Sequence, residues 1–198
     1  MKFQDIKLEI KNLEKIGEGW RGSIFKGNFK GQILSFKVPS EPIHISSILK
    51  EGEILKIVNK AGIGGKLILQ GEDFIAYKFI EGKELRHVIN EQNAKKILSQ
   101  ILEQARTLDI LKITKEEMHR LHANVLVNKD LKVYLIDFER AKKSEKPKNV
   151  TQFVQFLITG GTQYLGNFNK KEAINLMKEY KQNQSDENFL KIRKFFNL

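Results

Sequence analysis

Short apolar runs separated by turn residues characterise the first third of the chain. Ser23–Gly27 and Gln32–Val38 flank a short turn, and this arrangement predicts a β-hairpin. A second pair of apolar runs, Lys66–Leu69 and Phe74–Phe79, flanks a turn that contains Gly71. The pattern therefore predicts an antiparallel sheet in this part of the chain.

One helix is predicted between the two pairs of strands, over Ile48–Asn59. Ile48, Leu55 and Val58 recur at i, i+7 and i+10 and therefore share one face of this helix. Glu51 falls on the same face, at i+3. Burying a lone carboxylate costs several kcal/mol, so we expect Glu51 to have a charged partner.

The periodicity changes to helical after Gly82. Asn93–Leu111 carries an apolar stripe at i, i+3 and i+4, which predicts a long helix. Two short apolar runs, Val125–Val127 and Val133–Ile136, predict a second hairpin. Further helices are predicted over Thr151–Thr159 and in two stretches between Lys170 and Phe196. The coarse prediction is a strand-rich front lobe followed by a helical rear lobe.

The composition restricts the kinds of chemical site that the chain can contain. The chain has 198 residues, no cysteine and a formal charge of +11. The absence of cysteine excludes disulfides, thiolate metal sites and a cysteine nucleophile. No signal peptide and no membrane span are visible, so we expect a soluble, cytoplasmic protein without a membrane partner. The positive charge favours phosphate-bearing ligands, although a lysine-rich surface that aids solubility would give the same excess.

A glycine cluster precedes the first hairpin, with Gly17, Gly19 and Gly22 in the pattern G-x-G-x-x-G. In a dinucleotide-binding fold the third glycine opens a helix, whereas here it opens a strand. The P-loop pattern G-x-x-x-x-G-K-[ST] is also absent. A glycine-rich β-hairpin can still cover a nucleotide, because its bare N–H groups can approach the phosphates closely.

Lys37 lies on the strand that follows this hairpin. Phe36 points to the opposite face of the strand, whereas Ser35 shares the face of Lys37. Lysines on strands are usually solvated, which is the alternative interpretation. The carboxylate of Glu51 on the next helix would supply the counter-charge, so we predict a Lys37–Glu51 ion pair.

Asn124 and Asp137 are predicted to meet at one end of the second hairpin. Asn124 begins one strand and Asp137 follows the other, which brings an amide oxygen and a carboxylate together. Oxygen ligands of this kind, together with phosphate oxygens, form Mg²⁺ sites. The alternative is that both side chains only cap their turns.

The ordered set of motifs resembles the protein-kinase-like superfamily over roughly 16–140. Leu34–Lys37 is similar to the V-A-I-K strand, and Glu51–Leu55 to the helix with the ion-pair glutamate. Tyr77–Gly82 resembles the hinge that meets the adenine. Asn124 and Asp137 match the catalytic-loop asparagine and the aspartate of D-F-G, at the family's usual separation.

This resemblance implies an α+β fold of two lobes that together form one kinase-like domain. Residues 1–82 would form an antiparallel sheet with one helix, and residues 83–198 a reduced helical lobe. The implied cofactors are ATP and Mg²⁺, with the metal held by Asn124 and Asp137. The implied catalytic residues are Lys37, Glu51, His119, Asn124 and Asp137. The implied nucleotide-binding residues are Gly17, Gly19, Gly22, Ile24, Ser35, Lys37, Tyr77, Lys78, Phe79 and Ile80.

Three departures from the family pattern stand out. His119 occupies the position of the H-R-D aspartate, Glu139 replaces the glycine of D-F-G, and no A-P-E follows. Only the basic, loop-like stretch Arg140–Val150 separates this motif from the terminal helices, so the peptide-docking subdomains are expected to be absent. In its compactness and in the segment Ile136–Ala141, the chain is most similar to the small archaeal-type predicted Ser/Thr kinases. RIO-type kinases and the kinase-like subunit of the tRNA threonylcarbamoylation complex are related.

The implied activity is phosphoryl transfer from ATP to Ser/Thr hydroxyls of a protein. Histidine can accept a proton near neutral pH, so His119 is the expected base, and Glu117 is the next carboxylate to consider. If His119 is only a loop residue, the chain would be an ATP-binding pseudokinase scaffold. A third alternative is an ATPase-like subunit of a tRNA-modifying complex.

A basic cluster could bind RNA or an acidic partner through its positive charge. The alternative is an ordinary solvated loop. The cluster consists of Arg140, Lys142, Lys143, Lys146 and Lys148.

Overall fold

A five-stranded antiparallel sheet is the main element of the first of two structural units, which comprises Met1–Glu81 and Asp137–Arg140. The computed structural model describes all residues, 1–198. The strands are β1 (Lys11–Glu18), β2 (Gly22–Phe29), β3 (Gln32–Pro39), β4 (Leu67–Gln70) and β5 (Ile75–Lys78), in the order β1-β2-β3-β5-β4. The four strands predicted from apolar runs are present.

Helix α2 spans Ile45–Val58 and begins three residues before the predicted start. Its buried face includes Ile48, Glu51, Leu55 and Val58, as the spacing predicted. Helix α1 (Phe3–Ile6) comes earlier in the chain. Short 3-10 helices occupy Lys7–Glu9, Pro42–His44 and Asn59–Ala61.

The two faces of the sheet are chemically different, because side chains alternate along each strand. One face carries Phe36, which is fully buried and packs against apolar residues from the N-terminal segment and neighbouring strands. The opposite face carries Ser35 and Lys37, and both are also buried. The apolar cluster consists of Phe3, Ile6, Ile10, Phe29, Leu34, Phe36, Phe74 and Ala76.

Helices dominate the second unit, which comprises Gly82–Ile136 and Ala141–Leu198. The long predicted helix is α3, Ala94–Ile110. The later helices are α4 (Leu121–Asn124), α5 (Asn149–Gly160), α6 (Thr162–Leu165), α7 (Lys170–Gln182) and α8 (Asp186–Phe196). A 3-10 helix occupies Leu85–His87. The strands are β6 (Lys83–Glu84), β7 (Ile113–Thr114), β8 (Val125–Val127), β9 (Val133–Leu135) and β10 (Lys142–Lys143).

The predicted hairpin of β8 and β9 is present, with Val125 opposite Leu135, and β6 pairs with β8. The stretch Arg140–Val150 was expected to be a loop, and this expectation is wrong in two places. Strand β10 pairs with β7, and α5 begins at Asn149.

A buried polar network fixes the start of α5. The carboxylate of Asp109, on α3, accepts hydrogen bonds from the backbone N–H groups of Asn149 and Val150 and from the Asn149 side chain. It also accepts one from the Tyr180 hydroxyl at 3.0 Å, and Arg106 donates to that hydroxyl at 2.9 Å. The network therefore satisfies N–H groups that the first turn of a helix leaves without intrahelical partners.

None of the helices combines the length and the apolar character that crossing a bilayer requires.

Candidate functional site

The centre of the candidate site is a buried ion pair between β3 and α2. Lys37 Nζ lies 2.6 Å from a Glu51 carboxylate oxygen, and only 8% and 4% of the two side chains are exposed. The predicted Lys37–Glu51 pair is therefore present. It forms because Lys37 points away from the apolar face of the sheet, towards the carboxylate on the buried face of α2.

Two further carboxylates reach the same ammonium group from the segment Asp137–Arg140. Lys37 Nζ lies 3.1 Å from Asp137 and 3.3 Å from Glu139. The backbone of Asp137 is left-handed, with φ of 61°, a conformation that Asp tolerates better than most residues. The second oxygen of Glu51 accepts a hydrogen bond from the Phe138 N–H at 3.0 Å. Glu51 therefore anchors both Lys37 and this segment.

Electrostatics keep the Lys37 ammonium charged. Burial lowers the pKa of Lys37, but Glu51, Asp137 and Glu139 together raise that pKa above its ordinary value. Burial raises the pKa of Glu51, although Lys37 opposes the shift. The pKa of the Tyr77 phenol is also raised, because its burial and the charge of Glu51 both disfavour phenolate. The site therefore presents an ammonium group that remains protonated among several acids.

Glu139 links this cluster to the glycine-rich turn. Arg21, which lies between β1 and β2, donates to one Glu139 oxygen at 3.0 Å, while the other oxygen contacts Lys37. From the sequence, Glu139 was only a departure from D-F-G, and no role was predicted for Arg21. A charged residue in place of a glycine, next to a predicted buried site, was the available signal.

Strand register brings five predicted nucleotide-binding residues to one face of the sheet. Gly17 lies opposite Ile24, Ile24 opposite Lys37, and Ser35 opposite Tyr77. Directly paired residues on neighbouring strands share a face. The bare backbone of Gly17 and the Ile24 side chain therefore flank Lys37.

Packing requires glycine at only one of the three positions of the cluster. A Cβ on Gly22 would lie 2.5 Å from the Val38 carbonyl oxygen, so packing of β2 on β3 requires glycine there. A Cβ on Gly17 or Gly19 would meet nothing closer than 3.7 Å and 3.6 Å, respectively. The Gly19 N–H closes the turn on the Gly22 carbonyl. The protein's own packing therefore does not require glycine at 17 or 19.

The predicted hinge residues are less favourably positioned to bind a nucleotide than the other predicted nucleotide-binding residues. The N–H groups of Lys78 and Phe79 already donate to the carbonyls of Lys66 and Ile33. The Lys78 side chain is exposed and lies on the face of the sheet opposite to that of Tyr77. Phe79 and Ile80 are half-buried. Lys26 also lies over the Phe79 ring, 4.7 Å from its centroid.

Carboxylate oxygens of Glu51, Asp137 and Glu139 lie within 4.8 Å of one another, which is close enough to share a metal ion. Glu51 is committed to Lys37 and to the Phe138 N–H. Both oxygens of Glu139 are also engaged, by Arg21 and Lys37. Asp137 has the most exposed side chain of the three and is therefore the group best placed to turn towards a cation. Oxygen donors of this kind suit Mg²⁺.

The other predicted catalytic residues belong to the second unit. His119 is exposed and precedes α4. Asn124 was expected to begin a strand, but it is the last residue of α4, directly before β8. Its carbonyl accepts a hydrogen bond from the Ile136 N–H at 3.0 Å and extends the β8–β9 hairpin by one step. Glu117 is half-buried.

The lysines of the predicted basic cluster are exposed. Lys142 pairs with Glu116 at 3.1 Å, which neutralises part of the cluster. Arg140 belongs to the first unit, whereas Lys142, Lys143, Lys146 and Lys148 belong to the second.

Comparison with known proteins finds an uncharacterized archaeal relative. No protein-family model matches the chain. An uncharacterized protein of Methanocaldococcus jannaschii, MJ1211, is 32% identical over 87 residues, which are 42% of this chain and 73% of that protein.

Proposed function

Because the chain belongs to the same family as the uncharacterized Methanocaldococcus jannaschii protein MJ1211, whose name states no activity, we propose a function from the residues of the site. The proposed function is an ATP- and Mg²⁺-dependent phosphotransferase of protein-kinase type. It would transfer the γ-phosphoryl group to a serine or threonine hydroxyl.

One observation carries the proposal. A buried lysine lies between Glu51 and Asp137 on a sheet face where Gly17 leaves the backbone bare. The surrounding carboxylates offset the cost of burying this ammonium. Phosphates of a nucleotide are ligands for such a group, and a backbone without a packing reason for glycine offers them N–H donors.

Each residue has a proposed role in the transfer. Lys37 would hold phosphate oxygens, and Glu51 would fix the position of Lys37. Asp137 would bind Mg²⁺, and the resemblance assigns Asn124 to the same ion. The metal neutralises charge on the phosphates during the reaction. Phosphoryl transfer passes through a loose transition state, so positioning and neutralisation supply most of the catalysis.

The chemical step needs a proton acceptor. The acceptor hydroxyl oxygen forms a bond to the γ-phosphorus, the bond from that phosphorus to the β–γ bridging oxygen breaks, and ADP leaves. The hydroxyl proton passes to a base, which the resemblance places at His119. General-base assistance is worth roughly 10²–10⁴-fold, so a weak base gives a slow enzyme rather than none.

A second candidate function is favoured by Glu139. Its carboxylate contacts Lys37 at 3.3 Å, where it competes with any phosphate for that ammonium. A protein that binds nucleotide weakly and transfers no phosphate, as a pseudokinase scaffold does, would fit this contact.

Incubation with γ-labelled ATP and Mg²⁺ separates the candidates. The wild type is compared with Asp137→Ala and with the control Asp130→Ala, which changes an exposed turn residue. Label on protein that is lost only in Asp137→Ala supports the phosphotransferase. Release of phosphate without labelled protein indicates an ATPase. The absence of both labelled protein and released phosphate supports the second candidate.

A further inference from the structure

A cavity of about 340 Å³ lies within the second unit, between the segment that precedes and includes α4 and the end of α5. Its volume falls within the range of small-molecule binding sites, roughly 300–1,000 Å³. Its lining includes His119, Arg120, His122, Phe156, Thr159 and Gly160, and no acidic residue.

Arg120 is distinguished from the other arginines of this unit by its lack of an acidic partner. Its side chain is exposed and makes no ion pair or hydrogen bond. The other three arginines each pair with a carboxylate: Arg86 with Glu84, Arg106 with Asp186, and Arg193 with Glu103. An unpaired guanidinium at a cavity is a ready partner for phosphate or carboxylate, because its planar fork can donate two parallel hydrogen bonds.

His122 adds a second donor to the same cavity. Its ring meets Phe156 edge-on, with centroids 5.3 Å apart, and its Nδ1 is buried without a hydrogen-bond partner. A buried N–H without an acceptor is unfavourable, so in the neutral ring the proton belongs on Nε2. Nε2 is then the donor that His122 can offer to a ligand.

Thr159 lines the cavity but does not offer it a hydrogen-bond donor. Its hydroxyl already donates to carbonyls of the preceding turn of α5, those of Gln155 and Phe156. Phe156 and Gly160 supply an apolar wall beside Arg120 and His122. The cavity therefore combines a guanidinium and an imidazole N–H donor with a mostly apolar lining.

We propose that this cavity binds the phosphate group of a small molecule. The guanidinium of Arg120 and the Nε2–H of His122 belong to side chains that line it, and phosphate oxygens accept hydrogen bonds from both kinds of donor. All of the lining residues belong to the second unit, so the proposal is independent of the proposed function.

Titration with inorganic phosphate and then with O-phosphoserine, followed through the histidine ring NMR signals, tests the cavity. At fixed pH and ionic strength, the signals of His119 and His122 should shift and saturate. The signals of His44 and His87, which do not line the cavity, should not. Arg120→Ala should weaken binding roughly tenfold or more, because it removes charge-assisted hydrogen bonds.

Arg86→Ala is the matched control and should leave the affinity unchanged. Because the Arg120 side chain is exposed and makes no ion pair, Arg120→Ala should melt like the wild type. Equal shifts at all four histidines, or an affinity unaffected by Arg120→Ala, would overturn the proposal. Failure here removes only the cavity proposal and leaves the proposed function to its own test with γ-labelled ATP.

Discussion

Arg21 in the glycine-rich turn donates a 3.0 Å hydrogen bond to Glu139, which lies 118 positions later in the chain. The other oxygen of the same carboxylate lies 3.3 Å from Lys37 Nζ. Glu139 thus holds two cations that a nucleotide phosphate could otherwise bind. The residue that departs from the D-F-G pattern is therefore part of the charged cluster.

Replacing Glu139 tests whether this carboxylate competes with nucleotide. We predict that Glu139→Gln binds Mg-ATP several-fold more tightly than the wild type, because Lys37 and Arg21 lose a competing anion. Isothermal titration calorimetry measures the change, and Glu145→Gln at an exposed position is the control. Weaker binding that depends on Mg²⁺ would instead identify Glu139 as a metal ligand.

The protonation state of Lys37 gives a second prediction. Three carboxylates raise its pKa, and a raised pKa lowers the unprotonated, nucleophilic fraction of an amine at every pH below it. Lys37 should therefore react with acetic anhydride much more slowly than Lys78, its exposed neighbour on the adjoining strand.

Mass spectrometry of digested protein at a mildly alkaline pH measures both reaction rates. Glu51→Gln should speed modification of Lys37 without changing the rate at Lys78, because it removes the closest counter-charge. Equal rates for Lys37 and Lys78 in the wild type would contradict the observed burial and pairing.

The sequence predicted the elements whose pattern is local. Alternation along β3 placed Phe36 and Lys37 on opposite faces, and helical spacing placed Glu51 on the buried face of α2. These two local patterns were sufficient for the ion pair. The paired strands β7 and β10 have two residues each and leave no periodic signal.

Other features depend on contacts between distant residues. Helix α5 begins at Asn149 because Asp109, on α3, accepts the N–H groups of its first turn. Glu139 reaches Lys37 because Glu51 holds the Phe138 N–H and Asp137 adopts a left-handed backbone. No period or spacing within the sequence encodes contacts of this kind.

Asp109 supplies the prediction about stability. Asp109→Ala leaves the Tyr180 hydroxyl and the donors at the start of α5 without their buried acceptor. We expect a loss of about 2–4 kcal/mol in the free energy of unfolding. Urea denaturation measures it, with Asp130→Ala as an exposed control that should change the free energy by less than about 0.5 kcal/mol. Similar denaturation midpoints for the two variants would show that the network contributes little.

Glycine substitutions separate packing from ligand binding in the hairpin of β1 and β2. Gly22→Ala places a Cβ 2.5 Å from the Val38 carbonyl oxygen, and we expect it to cost about 1–3 kcal/mol of stability. Gly19→Ala meets nothing within 3.6 Å, so its melting temperature should match the wild type.

The same Gly19→Ala variant should bind Mg-ATP several-fold more weakly, because a methyl group at the turn keeps phosphates away from the backbone N–H groups. Calorimetry on Gly19→Ala and the wild type measures this effect at equal protein stability. Unchanged affinity in Gly19→Ala would mean that the turn does not cover the phosphates. Glycine at 19 would then have neither a packing reason nor a ligand reason, and the nucleotide site would have to lie elsewhere on the sheet face.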